Sequence, residues 1–370
     1  MRVADRTLRT IRRMLRTRYP AFLFGLPMRT GEIPIFNYHD VEGPELEGDL
    51  AFLARNRYRT LSLEEFLAQE GRSRDGLEVL LTFDDARASV ERVALPVLEA
   101  FRARAVLFVP THWVGELTPG SREAALFMSW RGVRRCRDSG VFDIESHSHR
   151  HALVHSSPRL VGFADAGMRT RFDVYDWPMQ DAAGEQGLGF PPLGTPIYAA
   201  APLLSAQACY LESVEATRVC QALVAGEGGT EFLRNPRGLT ELRRVHRWQM
   251  DIDGGRYLDA RSLRKLIESD FELCWRAFER HLGTHPSCFA FPWMLGSQAA
   301  LECARRMGVV AAFGCALDYR RARAAGLPVK VFGRLKSDWL RLLPGEDRAS
   351  LASVLARKAA SFSSLHNIAH

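Results

Sequence analysis

The chain has 370 residues, 46% of them apolar and 25% charged, and carries a net charge of +7. That balance excludes wholesale disorder, collagen and a continuous coiled coil, and no apolar stretch near the N-terminus approaches the ~18 residues a bilayer span needs. The whole net charge sits in residues 1–29, where eight arginines face one acid, Asp5. The remainder is formally neutral and lacks the basic stripe of a nucleic-acid-binding body, so no nucleic acid partner is expected.

Within residues 1–29, Ala4, Leu8, Ile11, Leu15 and Tyr19 recur at helical steps while most arginines fall on the other side. This predicts a basic amphipathic helix, ended by Pro20 and followed by the apolar run 21–26. Such a segment suits an anionic membrane surface, or else packs on the domain with its arginines in water. Seven cysteines are scattered singly with no CxxC pair, which argues for core thiols in a reducing compartment rather than disulfides or a zinc ribbon. With no secretory h-region recognisable, the expected location is cytoplasmic, with the basic arm allowing peripheral attachment at the inner membrane face.

From residue 33 onward, strand and helix patterns alternate. Residues 33–38 read as a strand and 46–57 as a helix; Ser62 and Glu65 form a capping box opening a helix to Gln69. Residues 77–83 (LEVLLTF) are a continuously apolar strand of the kind buried on both faces. A helix over 88–101, a strand over 105–110, a helix ending at Gly140 and a strand over 141–145 follow. Later come a helix over 260–282, a strand over 288–291, a helix over 297–307 and a strand over 309–313. This alternation predicts parallel βαβ units in an α/β barrel or doubly wound sheet. No GxGxxG or Walker A sequence accompanies the turns, so no nucleotide cofactor is expected. Residues 163–257 loosen into Pro- and Gly-rich sequence, read as an insertion that forms a lid or substrate wall. The expected organisation is thus a basic helix over 1–29, a barrel over 30–345 carrying that insertion, and a C-terminal helix and tail over 346–370.

Two clusters with chemistry follow predicted strands, where catalytic residues of parallel α/β folds gather. The first is Thr82-Phe83-Asp84-Asp85. Adjacent side chains on an extended chain point apart, so one carboxylate can bind a metal while the other addresses a water; the plainer reading is a helix cap. The second is Glu145-Ser146-His147-Ser148-His149-Arg150-His151. One helical turn would place His147 and His151 on one face for a divalent metal, and two histidines with one carboxylate leave coordination positions open, as at a catalytic rather than a structural metal.

These residues resemble the polysaccharide deacetylase family, the carbohydrate esterases with a chitooligosaccharide deacetylase homology domain. The resemblance runs from about Ile33 (IPIFNYHDV) to Phe313 apart from the insertion, and rests on TFDD at 82–85 and HSxxH at 147–151. It implies a distorted (β/α) barrel of seven or eight parallel strands, a divalent metal (commonly Zn²⁺, with Co²⁺, Mn²⁺ or Ni²⁺ as alternatives), and hydrolysis of an N-acetyl group from an aminosugar. Carried over, Asp84 becomes the general base and Asp85, His147 and His151 the metal ligands. Phe289-Ala290-Phe291-Pro292-Trp293 aligns with a further family motif, in which the backbone amide of Trp293 would help hold the oxyanion, while Ala290 replaces an arginine that orients the base. Ala86 stands where the family has glycine. The family's last motif, whose histidine protonates the leaving amine, is not recognisable in residues 317–370; the nearest segment, 331–339, has no histidine. His39 and His155 are the candidate substitutes, with His149 and His246 behind them.

The leading expectation is therefore a metal-dependent de-N-acetylase acting on a lipid-linked sugar or a cytoplasmic glycoside. A degenerate, noncatalytic carbohydrate-binding protein on the same fold is the alternative, and a two-His-one-carboxylate iron oxygenase is a remote third, which would leave Asp84 without a task. Trp177, Tyr198 and Trp248 are candidates for stacking on sugar rings.

Overall fold

A computed structural model describes residues 21–25, 31–73, 75–115, 126–168, 173–179, 189–315 and 329–362. Residues 1–20 and 26–30 of the predicted basic arm, 169–172 and 180–188 of the predicted insertion, and 363–370 of the tail lie outside them. The strands are β1 (Ile35–Tyr38), β2 (Arg59–Thr60), β3 (Glu78–Phe83), β4 (Ala105–Val109), β5 (Phe142–Ser146), β6 (Leu153–Phe163), β7 (Pro196–Pro202), β8 (Tyr210–Leu211), β9 (Arg256–Tyr257), β10 (Cys288–Ala290), β11 (Ala311–Cys315) and β12 (Lys330–Lys336). The helices are α1 (Gly43–Arg55), α2 (Leu63–Ala68), α3 (Leu95–Phe101), α4 (Trp130–Asp138), α5 (Val214–Gly226), α6 (Thr230–Arg234), α7 (Pro236–Ile252), α8 (Ala260–Leu282), α9 (Gln298–Arg306) and α10 (Leu351–Phe362).

Two compact units are present. The described residues of Met1–His147, Phe278–Ala290 and Val309–Ser363 form the first. In it, β1, β3, β4, β5, β10, β11 and β12 pair in that order, all parallel, and β12 returns to β1. The result is a closed seven-stranded parallel barrel, with β2 added beside β3. Side chains two apart on a strand share a face, and the interior is filled accordingly by Ile35, Leu80, Val106 with Phe108, Cys288 with Ala290, and Ala311 with Phe313. β3 is buried at every position, as its unbroken apolar run demands.

Local chemistry sets the element ends. The Ser62 side chain accepts from the Glu65 amide while Glu65 accepts from the Ser62 amide, so the predicted capping box opens α2. The helix predicted over 88–101 is present, with a π-turn, Val90–Ala94, in its first half that leads into α3. Pro96 lacks the amide needed to continue an α ladder, which accounts for the change of register. The described part of the apolar run forms a short 3₁₀ turn, Ala21–Phe24, whose Phe22 and Leu23 are buried, with Phe22 edge-on to Phe36. Those two side chains are therefore core rather than a free apolar face. No described helix is long and apolar enough to cross a membrane. Cys136, Cys209, Cys220, Cys274, Cys288 and Cys303 are free and buried.

The described residues of Ser148–Ala277 and Phe291–Gly308 form the second unit. Here β6 and β7 pair antiparallel, as do β8 and β9, and α5, α6 and α7 close on Phe163, Cys220, Val224, Leu233 and Leu242. The described part of the Pro- and Gly-rich stretch thus contains regular elements. Their apolar positions recur at helical spacing, as Ala216, Cys220 and Val224 do, but are diluted by charged residues, which is why the sequence reads as loose. Tyr198 and Trp177 are buried in this unit and unavailable for stacking on a sugar; Trp248 is 60% exposed.

Candidate metal centre and active site

The two predicted clusters leave β3 and β5 at their C-terminal ends. Asp84 lies immediately beyond β3, its amide donating to the Tyr38 carbonyl at the end of β1. Its carboxylate, 2% exposed, is gripped from β12: Arg334 Nη1 donates to Oδ1 at 2.6 Å and Nη2 to Oδ2 at 2.8 Å. The same guanidinium donates to Thr82 Oγ1 and lies 5.4 Å from the centre of the Phe108 ring. Asn37 Nδ2 adds a donor to Oδ2 at 3.3 Å. Burial pushes the Asp84 carboxyl up, but the Arg334 charge, with His147 and the Arg334 hydrogen bonds, outweighs it and holds the group below the usual carboxylate range. Asp84 is a buried, ionised and immobilised carboxylate.

Asp85 takes the opposite direction, with a positive φ of 69°. Its Oδ1 is 3.4 Å from His147 Nε2. The His147 Nδ1 lies 2.9 Å from the Ala290 carbonyl oxygen. A carbonyl only accepts, so the ring proton sits on Nδ1, which makes Nε2 the nitrogen with a lone pair to offer a metal. Burial disfavours the His147 cation, yet Asp84 and Asp85 more than offset it and raise its pKa. These are the negative charges a bound cation would neutralise. Position 290 thus contributes through its backbone carbonyl.

His147 and His151 do not share a helical turn. Residues 147–151 are an irregular loop in which Ser148 (φ 71°) and His151 (φ 48°) are left-handed. Hydrogen bonds hold the loop instead: the His151 amide donates to Ser148 Oγ, and the amides of His149 and Arg150 donate to the two oxygens of buried Asp270 on α8, each at 3.0 Å. Arg150 adds its guanidinium to Asp270 at 3.3 Å. The His151 ring lies against Tyr175 and Trp293, with centroids 4.4 and 4.2 Å away. Trp293 has a left-handed backbone (φ 51°) in the turn after Pro292.

Ligand atoms of Asp85, His147 and His151, all buried, lie within 4.8 Å of one another. Tetrahedral ligands at the usual bond lengths of about 2.1 Å stand about 3.4 Å apart, which is the Asp85–His147 separation. One carboxylate and two imidazoles are a donor set suited to a divalent cation. Six of the ten described non-glycine residues with positive φ fall in the three loops after β3, β5 and β10: Asp85, Ala86, Ser148, His151, Trp293 and Met294. Such conformations persist only where surroundings enforce them, and they gather at functional sites.

Residues 71–194 match the model of the polysaccharide deacetylase family. The matched segment bears Asp84, Asp85, His147 and His151. Among solved structures, the BpsB deacetylase domain from Bordetella bronchiseptica is similar with a TM-score of 0.51 and 15% identity, covering 82% of this chain and 96% of that one. A de-N-acetylase from Aggregatibacter actinomycetemcomitans gives a TM-score of 0.50 and 17% identity over 87% of this chain and 98% of that one. At these identities the likeness establishes the deacetylase barrel fold. No curated protein matches the chain.

The other candidates lie as follows. His39 is 47% exposed, with Nε2 4.0 Å from Asp84 Oδ2. His155 is buried, with Nδ1 3.0 Å from Glu212, and buried His246 bonds Tyr198 at 2.8 Å. His149 is buried as well. Sequence reasoning missed Arg334, Asp270 and Asn37. A signal for Arg334 exists: it alternates with Phe332 on β12, and an arginine in the inward phase of a strand needs a buried carboxylate.

Proposed function

We propose that the protein is a metal-dependent hydrolase that removes an N-acetyl group from an aminosugar-containing substrate, with Zn²⁺ its ion. The observation that carries this reading is the pairing of an ionised, Arg334-clamped Asp84 with a neighbouring Asp85–His147 pair in which the Ala290 carbonyl holds the ring proton on Nδ1. Asp85, His147 and His151 are the residues to hold the cation, which when bound supplies Lewis-acid polarisation of the amide carbonyl and a lowered water pKa. Asp84, whose Oδ2 lies 3.7 Å from His147 Nε2, would accept the proton of the attacking water. The Trp293 backbone amide is the donor for the oxyanion. An amide needs all these functions, because its carbonyl is a weak electrophile and its amine a poor leaving group.

The test is acetate release from N-acetylglucosamine-containing substrates that are lipid-linked, nucleotide-linked or free, using protein reconstituted with Zn²⁺ or Co²⁺ and an Asp84→Asn control. Metal-dependent release lost in the control supports the reading and identifies the substrate class. Silence from folded protein holding stoichiometric metal favours the noncatalytic carbohydrate-binding alternative. A lipid-linked substrate at the cytoplasmic membrane face is the form the basic arm favours; deletion of residues 1–29 would then abolish binding to anionic vesicles.

A further inference from the structure

The second unit carries apolar surface that its own core leaves uncovered. On α7, Leu242, His246 and Gln249 are buried, whereas Trp248 and Ile252, one helical turn apart, are 60% and 63% exposed. Val214 at the start of α5 is 82% exposed and Tyr257 on β9 is 51% exposed. Local bonds gather the four. Ser213 Oγ, next to Val214, donates to Asp253 Oδ2, next to Ile252, at 2.9 Å. Tyr257 pairs with Tyr210 across β8 and β9, their rings 5.5 Å apart, and the Tyr210 hydroxyl donates to the Gly254 carbonyl. A single exposed apolar side chain needs no explanation, but four around one helix end mark a surface that a partner covers.

The charge around this patch narrows the partner. Arg243 and Arg247 on α7 and Arg256 on β9 are exposed, and none of the three forms a salt bridge among the described residues. Arg244 is neutralised by Glu241, yet over the whole of α7 four arginines outnumber Glu241 and Asp251. Pairing two copies of this face would set arginine against arginine. A glycan would find no hydrogen bond on the aliphatic side chains of Val214 and Ile252. Tryptophan and tyrosine beside aliphatic side chains, rimmed by unpaired arginines, match instead the boundary of an anionic bilayer, where aromatic rings sit at headgroup level and arginine meets phosphate.

We propose that this face of the second unit docks on an anionic phospholipid surface. The proposal extends the reading of a lipid-linked substrate above, yet it stands on this surface and not on the hydrolase chemistry. The apolar side chains enter the headgroup boundary, and Arg243, Arg247 and Arg256 meet lipid phosphates. One weak attachment to a bilayer is marginal and reversible, whereas two reinforce each other; this face is the second attachment beside the basic arm over residues 1–29.

Co-sedimentation of the full chain with vesicles tests the assignment, using phosphatidylcholine alone or mixed with phosphatidylglycerol. Val214→Ser/Ile252→Ser removes two exposed aliphatic side chains and Arg243→Gln/Arg247→Gln two unpaired charges, with native circular dichroism as the check on folding. Wild type is expected to bind the mixed vesicles and to be released by salt. The aliphatic pair is expected to weaken partition about tenfold or more. The arginine pair is expected to weaken it by a similar factor and to flatten the salt dependence. Undiminished binding in either variant would overturn the proposal, as would a lipid-free dimer of the wild type, seen by analytical ultracentrifugation, that the aliphatic pair dissolves. Turnover of a free N-acetylated aminosugar, followed in parallel, is expected to be equal in all three proteins. Wild-type protein that binds the mixed vesicles through this face but releases no acetate would sink the hydrolase reading and leave the docking surface standing.

Discussion

Replacing Arg334 with Met tests the idea that the base is held by a clamp on the opposite side of the barrel closure. The guanidinium makes two hydrogen bonds to Asp84, at 2.6 and 2.8 Å, and is itself fully buried. Removing one partner of such a pair strands the other charge in a place water does not reach, at a cost of about 3–5 kcal/mol. Arg334→Lys would keep the charge but contact one oxygen at a time, so about half that loss is expected. Urea denaturation of Arg334→Met, Asp84→Asn and the double variant gives the coupling, expected to exceed about 2 kcal/mol because removal of both partners leaves no stranded ion. Amide turnover should fall in Arg334→Met with metal content unchanged. A coupling below about 0.5 kcal/mol, or full turnover without the guanidinium, would refute the clamp.

Three other outcomes are expected. Asp270→Ala should weaken metal affinity about 10–100-fold by titration, since the His149 and Arg150 amides lose their acceptors although Asp270 is not among the ligands. Saturating cation should raise the unfolding free energy, by about 2.7 kcal/mol at a hundred times Kd, and His147→Ala should abolish that increase in thermal-shift measurements. Tyr58 donates to the Pro344 carbonyl at 2.9 Å, and burial pushes its pKa from 10.0 up to about 12. A pKa higher in the folded state means its contribution is complete below about pH 10 and lost as pH rises toward about 12. Tyr58→Phe should therefore cost about 1 kcal/mol at neutral pH yet show a shallower alkaline decline in denaturation midpoints.

Much of the barrel is legible in sequence because burial on both faces leaves an unmistakable mark, as in Glu78–Phe83, and because capping boxes such as Ser62–Glu65 are local. The paired carboxylates are legible for a related reason, since they sit directly behind that strand, and the histidine cluster follows β5. What escapes is what closure creates. Arg334 and Asp84 are separated by 250 residues, and Arg150 and Asp270 by 120, so neither partner announces the other. The loop from His147 to His151 also misleads, since i,i+4 spacing suggests a helical turn while Ser148 and His151 adopt left-handed conformations that Asp270 and the Ser148 hydroxyl help to hold. The elements between 163 and 257 are obscured by glycines and prolines that punctuate rather than prevent them.

The left-handed residues behind β3, β5 and β10 carry an implication for anyone evolving this protein. Each such residue costs about 1–3 kcal/mol, so six of them consume a sum comparable to the ~5–15 kcal/mol net stability of a folded domain. Selection for heat resistance alone should therefore drift toward Gly or Asn at Ala86, Ser148 and Met294. The survivors would be sturdier barrels with a slackened rim, and the fraction that lost turnover would measure how tightly the geometry of this site is tied to its strain.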